Sequence, residues 1–249
     1  MTRLAGKQVV VLGGSRGVGR ALVAAAREAG AEVLAVGRTP DSLAQLAREV
    51  PGTATLTLDM FAPDAAERVF AALTPDVLVV NAGAPPHTAP VHEQSWEQFS
   101  ISWNADVRAS LAFCQAALRA PLAPGSTVVL VSSGAGLQGS QMSGGYAGAK
   151  RMQMFLAEYF QGESDRQGLG IRFLALVPAR IMVGTELGDK AIAGYSRWYG
   201  IEPAAFIEQM GPAQTPAQVG AAFVDLVAQP RDDEASIFAV TAAGVEAVS

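Results

Sequence analysis

Short apolar runs alternate with segments of helical spacing along the chain, and this alternation limits the possible folds more than any other feature. The runs at 9–12, 33–36 and 127–131 are apolar at nearly every position, which is typical of strands buried on both faces. Helical segments between such strands form right-handed crossover connections, so the strands lie parallel. The sequence therefore predicts an α/β fold in which helices cover both faces of a mainly parallel sheet.

The same pattern places the individual elements and the domain boundary. Strands are predicted at 9–12, 33–36, 55–58, 76–80, 127–131, 171–177 and 236–240. Helices are predicted at 18–29, 41–49 with Asp41 as N-cap, 64–73, 96–118 with a less regular first part, 146–161 and 216–227. A seven-stranded, doubly wound, Rossmann-type sheet follows, and residues 1–249 form one domain. The segment at about 179–212 is predicted to be irregular and, because it follows a strand, to be a substrate lid.

Composition excludes several classes of protein. Hydrophobic residues make up 50% and charged residues 16% of the chain, so disorder is excluded, and the net charge of −5 argues against nucleic-acid binding. No apolar run is long enough to cross a membrane, and residues 1–6 are too short for a signal peptide. One cysteine, Cys114, and two histidines, His87 and His92, argue against a disulfide and a zinc site, so no metal is expected. We expect a cytoplasmic protein that binds a small molecule.

A glycine-rich loop at 13–19 lies between the first predicted strand and the first predicted helix. Glycine permits a tight turn and a close approach of backbone to a pyrophosphate, and the N–H groups at a helix start favour an anion. An ordinary tight turn is the alternative, but this position favours a dinucleotide site and hence an NAD(P)-binding domain. The candidate cofactor contacts are Gly13, Ser15, Arg16, Gly17, Val18 and Gly19.

Arg38 follows the second predicted strand, where an NAD site usually has Asp or Glu to accept from the ribose hydroxyls. With Arg16 in the glycine loop, this region has two guanidinium groups and no carboxylate, which suits a 2′-phosphate. The alternative is that Arg38 is an ordinary surface residue. The pattern favours NADP(H) over NAD(H).

Two further strand ends carry candidate cofactor contacts. Asp59 and Met60 follow the third strand, where Asp59 could accept from the adenine amine or cap the next helix. Asn81, Ala82 and Gly83 follow the fourth strand, where small residues let a cofactor approach the backbone; an ordinary turn is the alternative.

Tyr146 and Lys150 are one helical turn apart on the same face of a predicted helix. A phenol is a poor acid or base near neutrality, and a nearby cation lowers its pKa, so that it can exchange a proton with a carbonyl or alcohol oxygen. A surface Tyr–Lys pair is the alternative.

Ser133 ends the fifth strand. The segment 134–145 that follows it is rich in Gly and Ser and is predicted to be non-helical. It can fold back so that the Ser133 hydroxyl and the Tyr146 phenol converge on one oxygen.

These motifs, in this order and spacing, resemble the short-chain dehydrogenase/reductase family, in its ordinary-length, single-domain branch, over nearly the whole chain. The resemblance implies that Tyr146 is the proton donor or acceptor and that Ser133 orients the substrate oxygen. It implies that Lys150 lowers the pKa of the phenol and holds the nicotinamide ribose. Hydride would pass between nicotinamide C4 and the substrate carbon.

The chain departs from the family pattern at the fourth catalytic position, usually an Asn in the long fourth helix. Counting from both sides places Asp106 there, where its backbone carbonyl could serve, and Asn104 lies two residues away. By resemblance, Pro178, Ala179 and Ile181 contact the nicotinamide end, although Ala179 stands where the family has Gly.

The substrate pocket is predicted from family position and from large apolar residues after the sixth strand. Its candidates are His87, Gln138, Met142, Met182 and Trp198. The composition of the lid favours an apolar or aromatic carbonyl compound. The alternative is that half of these lid residues simply hold the segment to the core.

Helices 96–118 and 146–161 are apolar on several faces, which predicts burial on both sides. The resemblance makes these helices a subunit contact and implies a homotetramer, or a dimer. The predicted function is an NADPH-dependent carbonyl (ketone) reductase, reversible as a secondary-alcohol dehydrogenase. The alternatives are a non-redox or internal-redox enzyme, such as a dehydratase or epimerase, and a regulator that binds the dinucleotide without turnover.

Overall fold

A computed structural model describes residues 3–228, 235–241 and 243–248. Its strands are β1 (Gln8–Leu12), β2 (Glu32–Gly37), β3 (Ala54–Thr57), β4 (Val77–Val80), β5 (Thr127–Val131), β6 (Arg172–Pro178), β7 (Ile237–Thr241) and β8 (Gly244–Ala247). Its α-helices are α1 (Gly17–Glu28), α2 (Pro40–Glu49), α3 (Ala65–Ala72), α4 (Trp96–Phe99), α5 (Arg108–Arg119), α6 (Gly134–Gln138), α7 (Gly144–Gln167), α8 (Glu186–Tyr199), α9 (Pro203–Gln209) and α10 (Pro216–Ala228). None of these helices is long and apolar enough to span a membrane.

The sheet has the order β3-β2-β1-β4-β5-β6-β7-β8. All neighbouring strands are parallel except β7 and β8, which are antiparallel. The order reverses between β1 and β4, and a crevice at the carboxyl ends of the strands is expected there. The predicted α/β, Rossmann-type fold is confirmed, with one strand more than predicted.

Two apolar cores lie on opposite faces of the sheet, and β1 shows why its sequence is continuously apolar. Val10 belongs to the core that includes residues of α3, α5 and α7, whereas Val9 belongs to the core that includes residues of α1, α2 and α10. Successive strand residues point to opposite faces, and each face here is covered by helices. The sheet is therefore a rigid base for the loops at its carboxyl edge.

Several local predictions are wrong. The segment 179–212 is mostly helical rather than irregular: Thr185 caps α8, and Pro203 occupies the first turn of α9. Residues 134–138 form α6, although this segment was expected to be non-helical. Asp41 is not an N-cap, because Thr39 takes that position before Pro at the first turn of α2.

The predicted helix 96–118 is interrupted, in agreement with its less regular first part. It consists of α4, a π-helical turn at Trp103–Val107 and α5. A π turn widens the helix and changes which side chains face inward. This turn contains both Asn104 and Asp106.

Candidate active site

The glycine loop is held against the ends of β2 and β4. The N–H of Gly13 donates to the carbonyl of Val36 at 2.8 Å, and the Asn81 side-chain amide donates to the carbonyl of Gly13 at 3.0 Å. A Cβ on Gly19 would collide with Gly13 and Asn81. Gly13 and Gly17 have positive φ angles of 75° and 54°, so the loop requires glycine for both its conformation and its packing. Asn81 thus supports the loop rather than merely ending a strand.

The start of α1 offers the chemistry that a dinucleotide pyrophosphate requires. Among the described residues, the N–H groups of Gly17 and Val18 have no acceptor, and the side chain of the N-cap residue, Arg16, makes no hydrogen bond to the start of the helix. A Cβ on Gly17 would meet nothing within 4 Å, so the backbone there faces open space. Unpaired N–H groups and the helix dipole favour an anion at this position. The residues present fit the pyrophosphate of a nicotinamide dinucleotide.

The two arginines of the predicted 2′-phosphate site are both exposed. A Cβ on Gly37 would lie 3.5 Å from Ser15 Oγ, which places the glycine loop beside the chain that leads to Arg38. The Arg38 guanidinium carbon lies 5.9 Å from the centroid of the Phe61 ring. The position of Phe61 carried no signal in the sequence.

Arg16 already has an anionic partner. Its Nη1 atom lies 2.6 Å from Glu186 Oε2, at the start of α8. Glu186 also pairs with Lys190 at 2.7 Å. No local sequence pattern predicts this carboxylate beside the glycine loop, because the contact joins residues 170 positions apart.

The residues after β3 have separate roles. Asp59 is exposed and accepts from the N–H of Phe61 at 3.1 Å. It does not cap the next helix, whose N-cap is Asp64. Met60 is buried in a core, as is Ala82 after β4. Of this group, Asp59 alone presents a charged side chain at the sheet edge.

The structure places Tyr146 and Lys150 in the first turns of α7, with the ammonium nitrogen 5.6 Å from the centroid of the phenol ring. Ser133 caps α6, and its oxygen accepts from the N–H of Ala135 at 3.3 Å. Within the described residues, no hydrogen bond joins Ser133 to Tyr146. The Ser133 hydroxyl hydrogen therefore remains available to a substrate oxygen.

The Lys150 ammonium group is buried among acceptors. It lies 2.9 Å from Asp106 Oδ2, 2.9 Å from Gln153 Oε1 and 3.0 Å from the carbonyl of Val131. Burial lowers the pKa of Lys150, but the charges of Asp106 and Tyr146 and the hydrogen bond to Asp106 outweigh it and raise the pKa above its ordinary value. The group is a buried cation at the candidate site.

The structure separates the two candidates for the fourth catalytic position. Asp106 is 1% exposed and reaches Lys150, whereas Asn104 is exposed and donates to Ser100 Oγ at 3.2 Å. A Cβ on Gly83 would lie 2.6 Å from the Asp106 carboxylate, so Gly83 makes room for this side chain. The expected reason for a small residue at this position was close approach of a cofactor.

The expected nicotinamide contacts lie where β6 leads into α8. Pro178 ends β6, and the N–H of Ala179 donates to Val240 at 3.2 Å. Gly134 packs directly against the Ala179 carbonyl. Ile181 and Met182 are half-buried, and Met182 packs against a core. Met182 therefore helps to hold this part of the segment to the core.

Helix α8 is tied to the loop that precedes Tyr146. The Tyr195 hydroxyl lies 2.6 Å from Ser140 Oγ, and the Tyr199 hydroxyl donates to Gln141 at 3.0 Å. Beside these contacts is an open cleft of about 450 Å³. It is lined by Pro90, Val91, His92, Ser140, Gln141, Gly144 and Trp198.

Only one of the predicted pocket residues, Trp198, lines this cleft. Met142 is buried, Gln138 is exposed and His87 is half-buried, and none of the three borders it. Val91 was not predicted at the cleft: it is 72% exposed and begins a 3-10 helix of three residues, Val91–Glu93, which is too short to show a periodic pattern in the sequence.

A row of exposed apolar side chains follows the two helices expected at a subunit contact. On α7, Phe155 and Tyr159 are exposed and stack with ring centroids 5.7 Å apart. Trp96, Trp103 and Leu111 are exposed on the segment from α4 to α5. Large exposed apolar groups of this kind mark interaction surfaces.

Comparison with known proteins finds one matching family model and several related reductases. Residues 7–194, more than half of the chain, match the family model described as short chain dehydrogenase. The chain is 35% identical to L-xylulose reductase of Bos taurus over 130 residues. The aligned residues cover 52% of this chain and 53% of that protein. It is 36% identical over 130 residues to D-erythrulose reductase of Gallus gallus, with 51% and 53% covered. It is 34% identical over 131 residues to Carbonyl reductase [NADPH] 2 of Sus scrofa, with 51% and 53% covered. The chain thus spans about half the length of these relatives.

Proposed function

The chain belongs to the short-chain dehydrogenase family, and on that premise we propose that it is an NADPH-dependent carbonyl reductase, reversible as a secondary-alcohol dehydrogenase. The observation that carries the proposal is the placement of Tyr146 and Lys150 on one face of α7, with Ser133 at the end of β5. An acid, a buried cation and a hydroxyl donor are the groups that carbonyl reduction requires. Three relatives named as reductases support the same reaction class.

The coenzyme would be held by the glycine loop and the two arginines. The N–H groups of Gly17 and Val18 would bind its pyrophosphate, and Arg16 and Arg38 would bind a 2′-phosphate. NADPH, when bound, supplies the hydride for the carbonyl carbon. The absence of a carboxylate at position 38 supports the preference for NADPH, as does the printed name of one relative, Carbonyl reductase [NADPH] 2.

The protein groups would act on the carbonyl oxygen. Tyr146 would donate its proton to that oxygen as negative charge develops there. Ser133 would donate a second hydrogen bond, because its own oxygen is already occupied by the Ala135 N–H and its hydrogen is free. In alcohol oxidation Tyr146 would accept the proton from the substrate hydroxyl, and Ser133 would again bind the substrate oxygen.

The substrate would be a small carbonyl compound that enters beside α8. Trp198 and Val91 give the cleft apolar walls, which suits an apolar or aromatic group. Ser140 and Gln141 supply polar edges, and the names L-xylulose reductase and D-erythrulose reductase make small ketoses a second class to test. The segment of about 179–212 would act as the lid. Hydrogen bonds from α8 to the loop before Tyr146 hold this segment beside the cleft.

We propose a homotetramer or dimer assembled through the exposed apolar row on α4, α5 and α7. Covering Phe155, Tyr159 and Trp96 would remove large apolar groups from water. Light scattering after size exclusion would test the assembly, and a monomer at micromolar concentration would contradict it.

We also propose a cytoplasmic location, since the lone Cys114 is a buried free thiol and the described fold needs no disulfide.

The function is tested with a panel of ketones, aldehydes and ketoses, by following the loss of NADPH absorbance. Tyr146→Phe should abolish turnover and leave NADPH binding nearly unchanged, since only the hydroxyl is removed. Tyr159→Phe, on the same helix but outside the catalytic group, is the matched control and should keep full turnover, because it retains the ring that the proposed subunit contact would cover. Turnover retained by Tyr146→Phe would contradict the mechanism.

The same assay separates the alternative functions. Turnover without net NADPH consumption would favour the dehydratase or epimerase alternative, and NADPH binding without any turnover would favour the regulator.

A further inference from the structure

In the cofactor-free protein, the Lys150 ammonium group directs its donors to three protein acceptors. An ammonium group has three N–H donors. Three acceptors lie within hydrogen-bond distance: Asp106 Oδ2 at 2.9 Å, Gln153 Oε1 at 2.9 Å and the Val131 carbonyl at 3.0 Å. The position of the cation is therefore determined by its surroundings, and Asp106 is the only one of the three partners that carries a charge.

Asp106 is equally fixed, because both of its carboxylate oxygens accept. Oδ2 pairs with Lys150, and Oδ1 accepts from the N–H of Ala84 at 3.1 Å. The side chain is only 2% exposed, and Gly83 leaves the space that it occupies. In an asparagine of the same conformation, an NH2 group, which cannot accept, would replace one of these two accepting oxygens. The site is thus built for a carboxylate at position 106.

Buried neutral groups complete the connection between Asp106 and Lys150. Gln153 accepts from Lys150 and donates to Ser110 Oγ at 2.8 Å. Ser110 in turn donates to the backbone carbonyl of Asp106 at 2.8 Å. The resulting ring joins the π turn, α5 and α7, and both Ser110 and Gln153 are fully buried. A satisfied buried network of this kind holds its members rigidly.

Within the described part of the chain, Asp106 is the one charged side chain that pairs with the ammonium group. Asp106 faces it from the π turn and Tyr146 faces it from α7. The contacts from β5 and the remainder of α7 come from the Val131 carbonyl and the Gln153 amide. The electrostatic effect of Lys150 on the phenol is therefore opposed mainly by one carboxylate.

We propose that Asp106 is a positioning residue for the candidate reaction: it anchors the Lys150 ammonium group and offsets its charge at Tyr146. The pH at which Tyr146 exchanges its proton then depends on the charge of Asp106. The catalytic meaning of this inference rests on the proposed function. The charge coupling itself is a property of the cofactor-free protein and is measured there.

The test is a titration of the phenolate by its near-ultraviolet absorbance in the protein without coenzyme. Subtracting the curve of the Tyr146→Phe variant isolates Tyr146 from the other tyrosines. Asp106→Asn should lower the midpoint by roughly one to two pH units, because the Lys150 charge is then unopposed 5.6 Å from the ring centroid. The pH at which carbonyl reduction falls to half should move in the same direction.

Ser110→Ala is the matched control, since it removes a hydrogen bond of the same network and leaves both charges in place. Its midpoint should stay at the wild-type value. A midpoint in Asp106→Asn that equals the control would overturn the proposal, because the residue would then act only as packing.

Two further variants test the proposal if Asp106→Asn does not fold. Lys150→Met should raise the midpoint, and the double variant Asp106→Asn with Lys150→Met should bring it back close to wild type, because both charges are gone. A midpoint in the double variant as high as in Lys150→Met alone would refute the offset. If the midpoints move as expected while no carbonyl compound oxidises NADPH, the charge coupling stands and the proposed function alone fails.

Discussion

Replacement of Lys150 with methionine should lower the stability of the protein sharply, because it leaves Asp106 as an unpaired buried carboxylate. The two side chains are 8% and 2% exposed, so water screens the pair little. Removing one partner of a buried pair costs about 3–5 kcal/mol. For a chain of this length, each kcal/mol lowers the Tm by about 2–4 °C. The expected loss is therefore about 6–20 °C.

The assay is thermal unfolding of the cofactor-free protein followed by circular dichroism. Lys190→Met is the matched control, because Lys190 pairs with Glu186 on the surface and its loss should hardly change the Tm. The double variant Asp106→Asn with Lys150→Met should recover most of the lost Tm, since no buried charge remains. If Lys150→Met lowers the Tm no more than Lys190→Met does, then Lys150 and Asp106 do not form a buried ion pair.

Three further predictions concern the coenzyme site and the thiol. Arg38→Ala should weaken NADPH binding about tenfold or more and leave NADH binding nearly unchanged, as measured by fluorescence titration; an equal loss for both nucleotides would contradict a 2′-phosphate contact. Glu186→Gln should tighten NADPH binding roughly threefold by releasing Arg16 from its carboxylate partner, with NADH affinity as the control; unchanged NADPH affinity would show that the pair does not compete. Cys114 should resist thiol reagents in the native protein and react once it unfolds, because burial raises its pKa; rapid native labelling would contradict its burial.

The sheet was predictable from the sequence because its strands are buried on both faces. Val9 and Val10 enter different cores, so β1 has to be apolar at successive positions. The missed strand, β8, is short and largely exposed, and it lacks that signal. Helices α8 and α9 were missed for another reason: their start and stop signals, Thr185 and Pro203, lie in a segment whose aromatic residues suggested only a pocket.

The candidate site was predictable where its residues are close in sequence and less so where they are distant. The spacing of Tyr146 and Lys150 follows from one helical turn. The choice between Asn104 and Asp106 depended on a π turn, which an ideal helical count does not include. The Arg16–Glu186 pair depends on packing between distant elements, and no local pattern encodes it.

In the proposed reaction, hydride passes from NADPH to a carbonyl carbon while this chain supplies the proton. It is tested with NADPH that carries deuterium at both C4 positions of the nicotinamide, using the carbonyl compound that the protein reduces fastest, followed by mass spectrometry of the alcohol. We predict one deuterium on the carbinol carbon of each product molecule, with none in a parallel reaction of the Tyr146→Phe variant. An alcohol product without deuterium, or a nucleotide that stays reduced while the substrate is converted, would refute hydride transfer from NADPH.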